Sequence, residues 1–220
     1  MDWLFLDSEL EAFAGAMPFL PATALALAYI KDYGDSLIGE EIAVHEAMGV
    51  YRQSSFSSGR RCVRATQAAL ELRPQAILRD NRAPIWPTDC VGSISHSNRI
   101  AAAVMSKGVI GVGVDIERQG RVHRKLWPSV FSDTEIAWLT DVPSVYADVM
   151  FSAKEAGYKA IFPYGRRFIG FHDARIELDL SQQQFRIRYL GDHKPNSLLD
   201  SGIGYWHRAD GHVLTIFVLE

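Results

Sequence analysis

Apolar and polar positions change their period several times along this chain of 220 residues, and each change marks an element. Apolar residues at helical spacing predict helices over Ile38 to Met48 and Ser57 to Leu72, the second rich in Ala and Leu. From residue 91 onward the period shortens to two. Strands are expected near 91–95, 100–106 and 110–117, then near 174–180, 184–190, 203–208 and 212–219. Between the two sets, Ser132-Asp133-Thr134-Glu135 reads as a capping box that opens a short helix. Tyr146 to Phe162 reads as a longer helix. Residues Ala12 to Ile30 carry no charge and are nearly long enough to cross a bilayer. Pro18 and Pro21 interrupt that run, and Asp2, Asp7, Glu9 and Glu11 precede it where an export signal would be basic. A strand and loop leading into a buried helix is the expectation there, with no export and no membrane. Helices and strands are mixed in both halves, so the class is α+β or α/β.

Two segments carry candidate chemistry. Gly111-Val112-Gly113-Val114-Asp115-Ile116-Glu117 reads as a buried strand ending in two carboxylates. Alternation places Val112, Val114 and Ile116 on one face and Gly113, Asp115 and Glu117 on the other. The second is Phe151-Ser152-Ala153-Lys154-Glu155-Ala156-Gly157-Tyr158-Lys159-Ala160, where Glu155 and Lys159 lie one turn apart on a helix. Lys154 sits about 100° round from Glu155. Singly, a strand-end Asp-x-Glu is an ordinary solvated terminus, and a Glu-Lys pair is an ordinary surface ion pair. Together, Asp115, Glu117 and Glu155 make an oxygen-only donor set that selects magnesium or manganese over zinc. A divalent ion beside lysines suits phosphoryl-type transfer, which needs charge neutralisation and positioning above all.

Composition narrows the picture. The formal charge of −3 gives no support for nucleic-acid binding. Arg52, Arg60, Arg61 and Arg64 nevertheless cluster on one expected helix, where like charges repel unless an anion is present. Cys62 and Cys90 form no disulfide framework or metal spacing and read as packing residues in a reducing cytoplasm. A polar turn, Ser93-Ile94-Ser95-His96-Ser97, offers hydroxyl, imidazole and backbone donors for an anion, or simply stabilises its own turn. No Gly-x-Ser-x-Gly elbow is present, which disfavours a serine hydrolase.

The ordered set Ser-Ile-Ser-His-Ser (93–97), Gly-Val-Asp-Ile-Glu (113–117) and Phe-Ser-Ala-Lys-Glu-Ala-x-Tyr-Lys-Ala (151–160) resembles the 4′-phosphopantetheinyl transferases. Among these it is similar to the monomeric type serving siderophore, non-ribosomal peptide and polyketide synthases, in the enterobactin-synthase branch. Gly59 to Arg64, Arg82 to Pro87 and Phe162 to Ala174 extend the likeness. The resemblance implies two similar subdomains related by a pseudo-twofold, 1–108 and 109–220, with coenzyme A in the cleft between them. It implies that Asp115, Glu117 and Glu155 hold magnesium, with Glu155 also the candidate base, acting directly or through a metal-bound water. It gives Lys154 and Lys159 to the phosphates, with Lys159 protonating or neutralising the leaving group. Ser95 and His96 would contact phosphates at the nucleotide end. Arg52 and Arg60 would grip the 3′-phosphate, with either Arg79 or Arg82 beside them.

The reaction so implied moves phosphopantetheine from coenzyme A to a serine of an acyl or peptidyl carrier protein and releases 3′,5′-ADP. Coenzyme A and the carrier protein are the expected partners, and the enzyme is expected to be a monomer. A metal-dependent pyrophosphate hydrolase is the rival, against which stands the lack of a glutamate-rich helix. A module that only binds would be favoured by a missing acid or lysine, and none is missing. The segment Arg121 to Val130 mixes Arg124 and Lys125 with Val122, Leu126 and Trp127. It reads equally as a docking strip for the carrier protein or as a loop packed on its own half.

Overall fold

The computed structural model describes residues 2–13, 20–80, 83–167 and 169–219. Strands β1 (Asp2–Phe5) and β2 (Thr23–Tyr29) precede helices α1 (Glu40–Glu46) and α2 (Val50–Ala69). Two short strands follow, β3 (Arg79–Asp80) and β4 (Ala83–Pro84), then β5 (Val91–His96), β6 (Ile100–Ser106) and β7 (Gly111–Arg118). Helices α3 (Trp127–Val130), α4 (Asp133–Thr140) and α5 (Val145–Gly165) lead to β8 (Ala174–Asp179), β9 (Gln184–Tyr189), β10 (Ile203–Ala209) and β11 (His212–Leu219).

One sheet runs β1-β2-β6-β5 and a second runs β7-β11-β10-β9-β8. All pairings are antiparallel except β1 with β2. The layers follow from side-chain alternation. In β2, Ala24, Ala26 and Ala28 pack with Cys62 and Val63 of α2, while Leu25 and Leu27 point the other way. Those leucines, with Ile100 and Val104 of β6, meet Val112, Val114 and Ile116 of β7 and Leu214, Ile216 and Val218 of β11. The opposite face of β11, with Val213, Phe217 and Leu219, packs on Ala153, Ala156 and Ala160 of α5. The order is therefore helix, sheet, sheet, helix. The two halves share one plan, an α+β arrangement in which a long helix covers the outer face of a sheet.

Sequence reading places a buried helix before Ile30, and the structure corrects this: Thr23–Tyr29 is a strand buried on both faces. Its Ala-Leu alternation has period two, and the small residues let α2 lie close, so packing overrides alanine's helical propensity. Pro18 and part of that run lie outside the described residues. Among those described, no helix is long and apolar enough to cross a membrane. The capping box at Ser132 is formed, with its side chain and that of Glu135 exchanging backbone bonds. Cys62 is fully buried, as a packing residue should be.

The split of β7 into an apolar and an acidic face holds, but the acidic face is not open. It lies under α5. A Cβ at Gly113 would overlap the carbonyl oxygen of Ala156 and come within 2.8 Å of the Ala160 nitrogen. The glycine is what lets helix and strand approach. Gly113→Ala is expected to cost on the order of 2 kcal/mol or more. For a chain of this size that lowers the thermal midpoint by about 5 °C, and an unchanged midpoint would show that α5 can shift freely.

Candidate active site

Strands β5 and β7 meet where the edges of the two sheets adjoin, and α5 crosses above them. A cavity of about 500 Å³ opens there. Its wall carries Asp115, Glu117, Glu155 and Lys159, and also Arg60, Arg79 and His96.

Asp115 is the fixed point. It is 4% exposed, and both carboxylate oxygens are engaged. Oδ1 accepts from Ser95 Oγ at 2.8 Å and from Lys159 Nζ at 2.7 Å, while Oδ2 accepts from Ser152 Oγ at 2.8 Å. Lys159 Nζ also donates to Ser95 Oγ at 2.9 Å and to Val114 O at 3.2 Å. Thr215, the cross-strand partner of Asp115, lies 2.9 Å from Ser152 Oγ and donates to the Ser152 carbonyl. Strand, helix and the neighbouring sheet are thus tied through one carboxylate.

The other two acids sit in its field. Burial, then the charge of Asp115, pushes Glu117 up to about 7, although Arg121 Nε lies 3.1 Å away and opposes the rise. Glu155 is also raised, chiefly by burial, with Lys159 opposing and Asp115 adding to the shift. Among the described residues no three acidic, histidine or cysteine side chains converge closely enough to hold a metal as they stand. The donor set still fits a hard divalent cation: three carboxylates line one pocket, and Asp115 raises both others, a repulsion that a cation relieves.

The sequence matches family models over most of its length. Residues 40–106 match the 4′-phosphopantetheinyl transferase N-terminal domain, and residues 111–216 match the 4′-phosphopantetheinyl transferase superfamily. The chain is 32% identical over 213 residues to 4′-phosphopantetheinyl transferase Svp of Streptomyces mobaraensis, covering 92% of this chain and 87% of that one. It is 30% identical over 220 residues to 4′-phosphopantetheinyl transferase PptT of Mycobacterium tuberculosis, covering 91% and 96%. This chain belongs to the 4′-phosphopantetheinyl transferases. Enterobactin synthase component D of Salmonella typhi is 33% identical over 133 residues, 58% of this chain and 56% of that one.

With the transferase family established, the expected residues can be placed one by one. Asp115, Glu117, Glu155, Lys159, Ser95 and His96 come together at the cavity. Alternation along β5 turns Ser95 inward to Asp115 and leaves His96 exposed at the lip. Lys154 lines the cavity too, but its amine is already engaged. Its Nζ donates to Val130 O at 2.9 Å, Glu135 Oε2 at 2.9 Å and Phe171 O at 2.8 Å. A lysine has three N–H donors, and all three are used. The amine ties α3, α4 and the turn before β8, so a phosphate contact would require breaking one of these bonds.

The arginines divide as well. Arg52 stands exposed in the first turn of α2 and does not line the cavity. Eight residues separate it from Arg60, about 12 Å along the axis. Arg61 stacks over the Tyr33 ring at 4.1 Å. Arg60 is 3% exposed, and with Arg64 it reaches Glu41, whose buried carboxylate relieves the repulsion expected on this helix. Arg79 is exposed on β3 and lines the cavity. Arg82 lies outside the described residues.

Sequence reasoning missed Ser152 and Glu41. Ser152, Glu155 and Lys159 recur at i, i+3 and i+7, a helical face readable in advance. Glu41 gave no such signal, because its arginines follow at 19 and 23 positions later in an element whose docking only the fold reveals.

Reading the chain alone, Asp115 serves a solvated cleft and its removal spares the fold. Its burial overturns this. Asp115→Ala leaves Ser152 and Lys159 without their shared acceptor. Because Lys159 keeps 26% side-chain exposure and water can partly replace the bond, the expected loss is about 1–3 kcal/mol. Calorimetry should show a lowered midpoint together with lost activity, and an unaltered midpoint would deny these bonds a structural role.

Proposed function

We propose that this transferase moves 4′-phosphopantetheine from coenzyme A to a serine hydroxyl of an acyl or peptidyl carrier protein, with magnesium, in siderophore, peptide or polyketide assembly. One observation carries the reading: the acids and Lys159 share a single cavity with Arg60 and Arg79. A coenzyme A molecule has charge at both its pyrophosphate and its 3′-phosphate, and it needs both groups of residues. We further propose a division into subdomains 1–108 and 109–220 with the coenzyme between them, and a cytoplasmic monomer as the working form.

In this mechanism the arginines hold the 3′-phosphate, remote from the chemistry, by charge-assisted bonds. Asp115, Glu117 and Glu155 would hold the magnesium ion, which supplies charge neutralisation at the pyrophosphate. Glu155 takes the proton of the incoming serine. Burial raises its proton affinity, which favours taking that proton. The serine oxygen bonds to the β-phosphorus, the bond from that phosphorus to the bridging oxygen breaks, and 3′,5′-ADP leaves. Lys159 faces Asp115 and offsets the negative charge that grows on the leaving phosphate. Tyr158, Phe162 and Phe171 line the cavity near these groups and supply apolar wall for the pantetheine arm.

The test is a mass spectrum of apo carrier protein after incubation with coenzyme A and magnesium. A gain of one phosphopantetheine supports transfer, free phosphopantetheine with unmodified protein indicates hydrolysis, and no change leaves only binding. Glu155→Gln is expected to slow transfer by about 10²–10⁴-fold while coenzyme A still binds. Rates within a few-fold of the original would remove Glu155 as the base.

The segment after β7 supports a narrower docking surface than its sequence suggests. Val122 and Trp127 are buried in the core beneath α5, while Arg124, Lys125 and Leu126 are exposed, with Arg121 and His123 exposed beside them. Exposed cations beside an apolar side chain fit the acidic helix expected of a carrier protein. Reversing Arg124 and Lys125 to Glu should slow carrier modification through the association rate and flatten its salt dependence, with coenzyme A binding unaltered. Unchanged carrier kinetics would take this segment out of the interface.

A further inference from the structure

Glu41 touches no part of the cavity, yet the nucleotide end of the cavity is built around it. Its carboxylate is fully buried. Oε1 accepts from Arg64 at 2.7 Å and from the Ile77 amide at 2.7 Å, and it lies 3.1 Å from Arg60 Nε. Oε2 accepts from the Ile38 amide at 3.2 Å. Arg60 completes a ring by donating to the Ile77 carbonyl at 2.7 Å, and its guanidinium stacks 4.4 Å over Phe56. Both main-chain groups of Ile77 are therefore pinned by one acid-base pair. Arg79 follows two residues later and projects at the cavity wall.

The charge count explains why this matters. Arg60 and Arg64 bring two positive charges to one carboxylate, and Arg79 adds a third at the cavity rim. Burial draws Arg60 down to about 10, and Arg79 and Arg64 push the same way, with Glu41 opposing them. The guanidinium stays charged at neutral pH. A net positive charge remains, aimed by Glu41 and Phe56 toward the cavity, and an anion there satisfies it.

We infer that Glu41 is a positioning residue that sets Arg60 and the Arg79 strand as a preformed seat for the phosphate remote from the reacting end. The inference rests on the coenzyme A reading above, and it concerns a residue of α1 that contacts no substrate atom. It acts through two routes, the guanidinium orientation and the Ile77 backbone.

Coenzyme A and 3′-dephospho-coenzyme A, titrated calorimetrically against the full chain, separate the two ideas. The ordinary protein is expected to prefer coenzyme A by about tenfold or more, the value of one lost charge-assisted contact. Equal affinities would overturn the phosphate seat itself, whatever Glu41 does. Given that preference, Glu41→Gln should reduce it at least threefold, chiefly by weakening coenzyme A, with the affinity for the dephospho form little changed. Arg64→Met, which loosens the same buried cluster without touching Arg60, should lower the thermal midpoint and keep the preference. If Glu41→Gln fails to fold, Glu41→Asp serves, since the shorter side chain keeps its charge but cannot reach both Arg60 and the Ile77 amide. A preference kept in whichever Glu41 variant folds, or lost equally in Arg64→Met, would reduce Glu41 to a structural residue.

Discussion

The buried carboxylate of Asp115 is the interaction on which the rest of the site depends. It belongs to β7, but its three partners come from two other elements: Ser95 at the end of β5, and Ser152 and Lys159 on α5. The two sheets touch through apolar side chains alone over most of their shared face, and such contacts are non-directional. The bonds at Asp115 are directional. They fix how the edge of one sheet registers against the other, and so decide the width of the cavity at its acidic end.

That network can exist only because the backbone approaches closely. Gly113 lacks the side chain that would hold α5 off β7, and Ala156 and Ala160 keep the facing helix small. One residue before Glu155, Lys154 is saturated by Glu135 and two carbonyl oxygens, which anchors the segments that carry the apolar wall of the cavity. Removing one partner from a buried pair of this kind costs about 3–5 kcal/mol. Adjacent lysines on one helix therefore do different work. The helical repeat turns Lys159 toward the acids and Lys154 into the protein.

How much of this was legible beforehand depends on the range over which each signal acts. The strands from 91 onward, the capping box at Ser132 and the acidic face of β7 are set by neighbours a few residues apart, and their pattern is visible in the chain. The β2 strand is not, because alanines 24, 26 and 28 are chosen by α2 packing on them, and alone they look helical. The site divides the same way. Asp115, Glu117, Glu155 and Lys159 were readable from spacing and family resemblance. Burial was not, so Asp115 looked solvated, the internal partners of Lys154 went unseen, and Glu41 gave no sign at all.

The two halves solve the same problem with similar parts. In each, a long helix outside the sheet must present a cation toward the central cavity, and long cationic side chains have many rotamers to lose. A buried carboxylate from a different element removes that freedom: Glu41 for Arg60 of α2, Asp115 for Lys159 of α5. Neither acid is left with an isolated charge, because each also accepts other hydrogen bonds, from amides at Glu41 and hydroxyls at Asp115. The difference lies in stoichiometry. At Glu41 two guanidiniums share one acid, which leaves positive charge and suits a phosphate. At Asp115 one lysine faces three carboxylates, and although Arg121 offsets Glu117 from outside, negative charge remains, which suits a cation. A single cavity thus carries opposite excess charge at its two ends, and the proposed coenzyme A reading rests on that polarity.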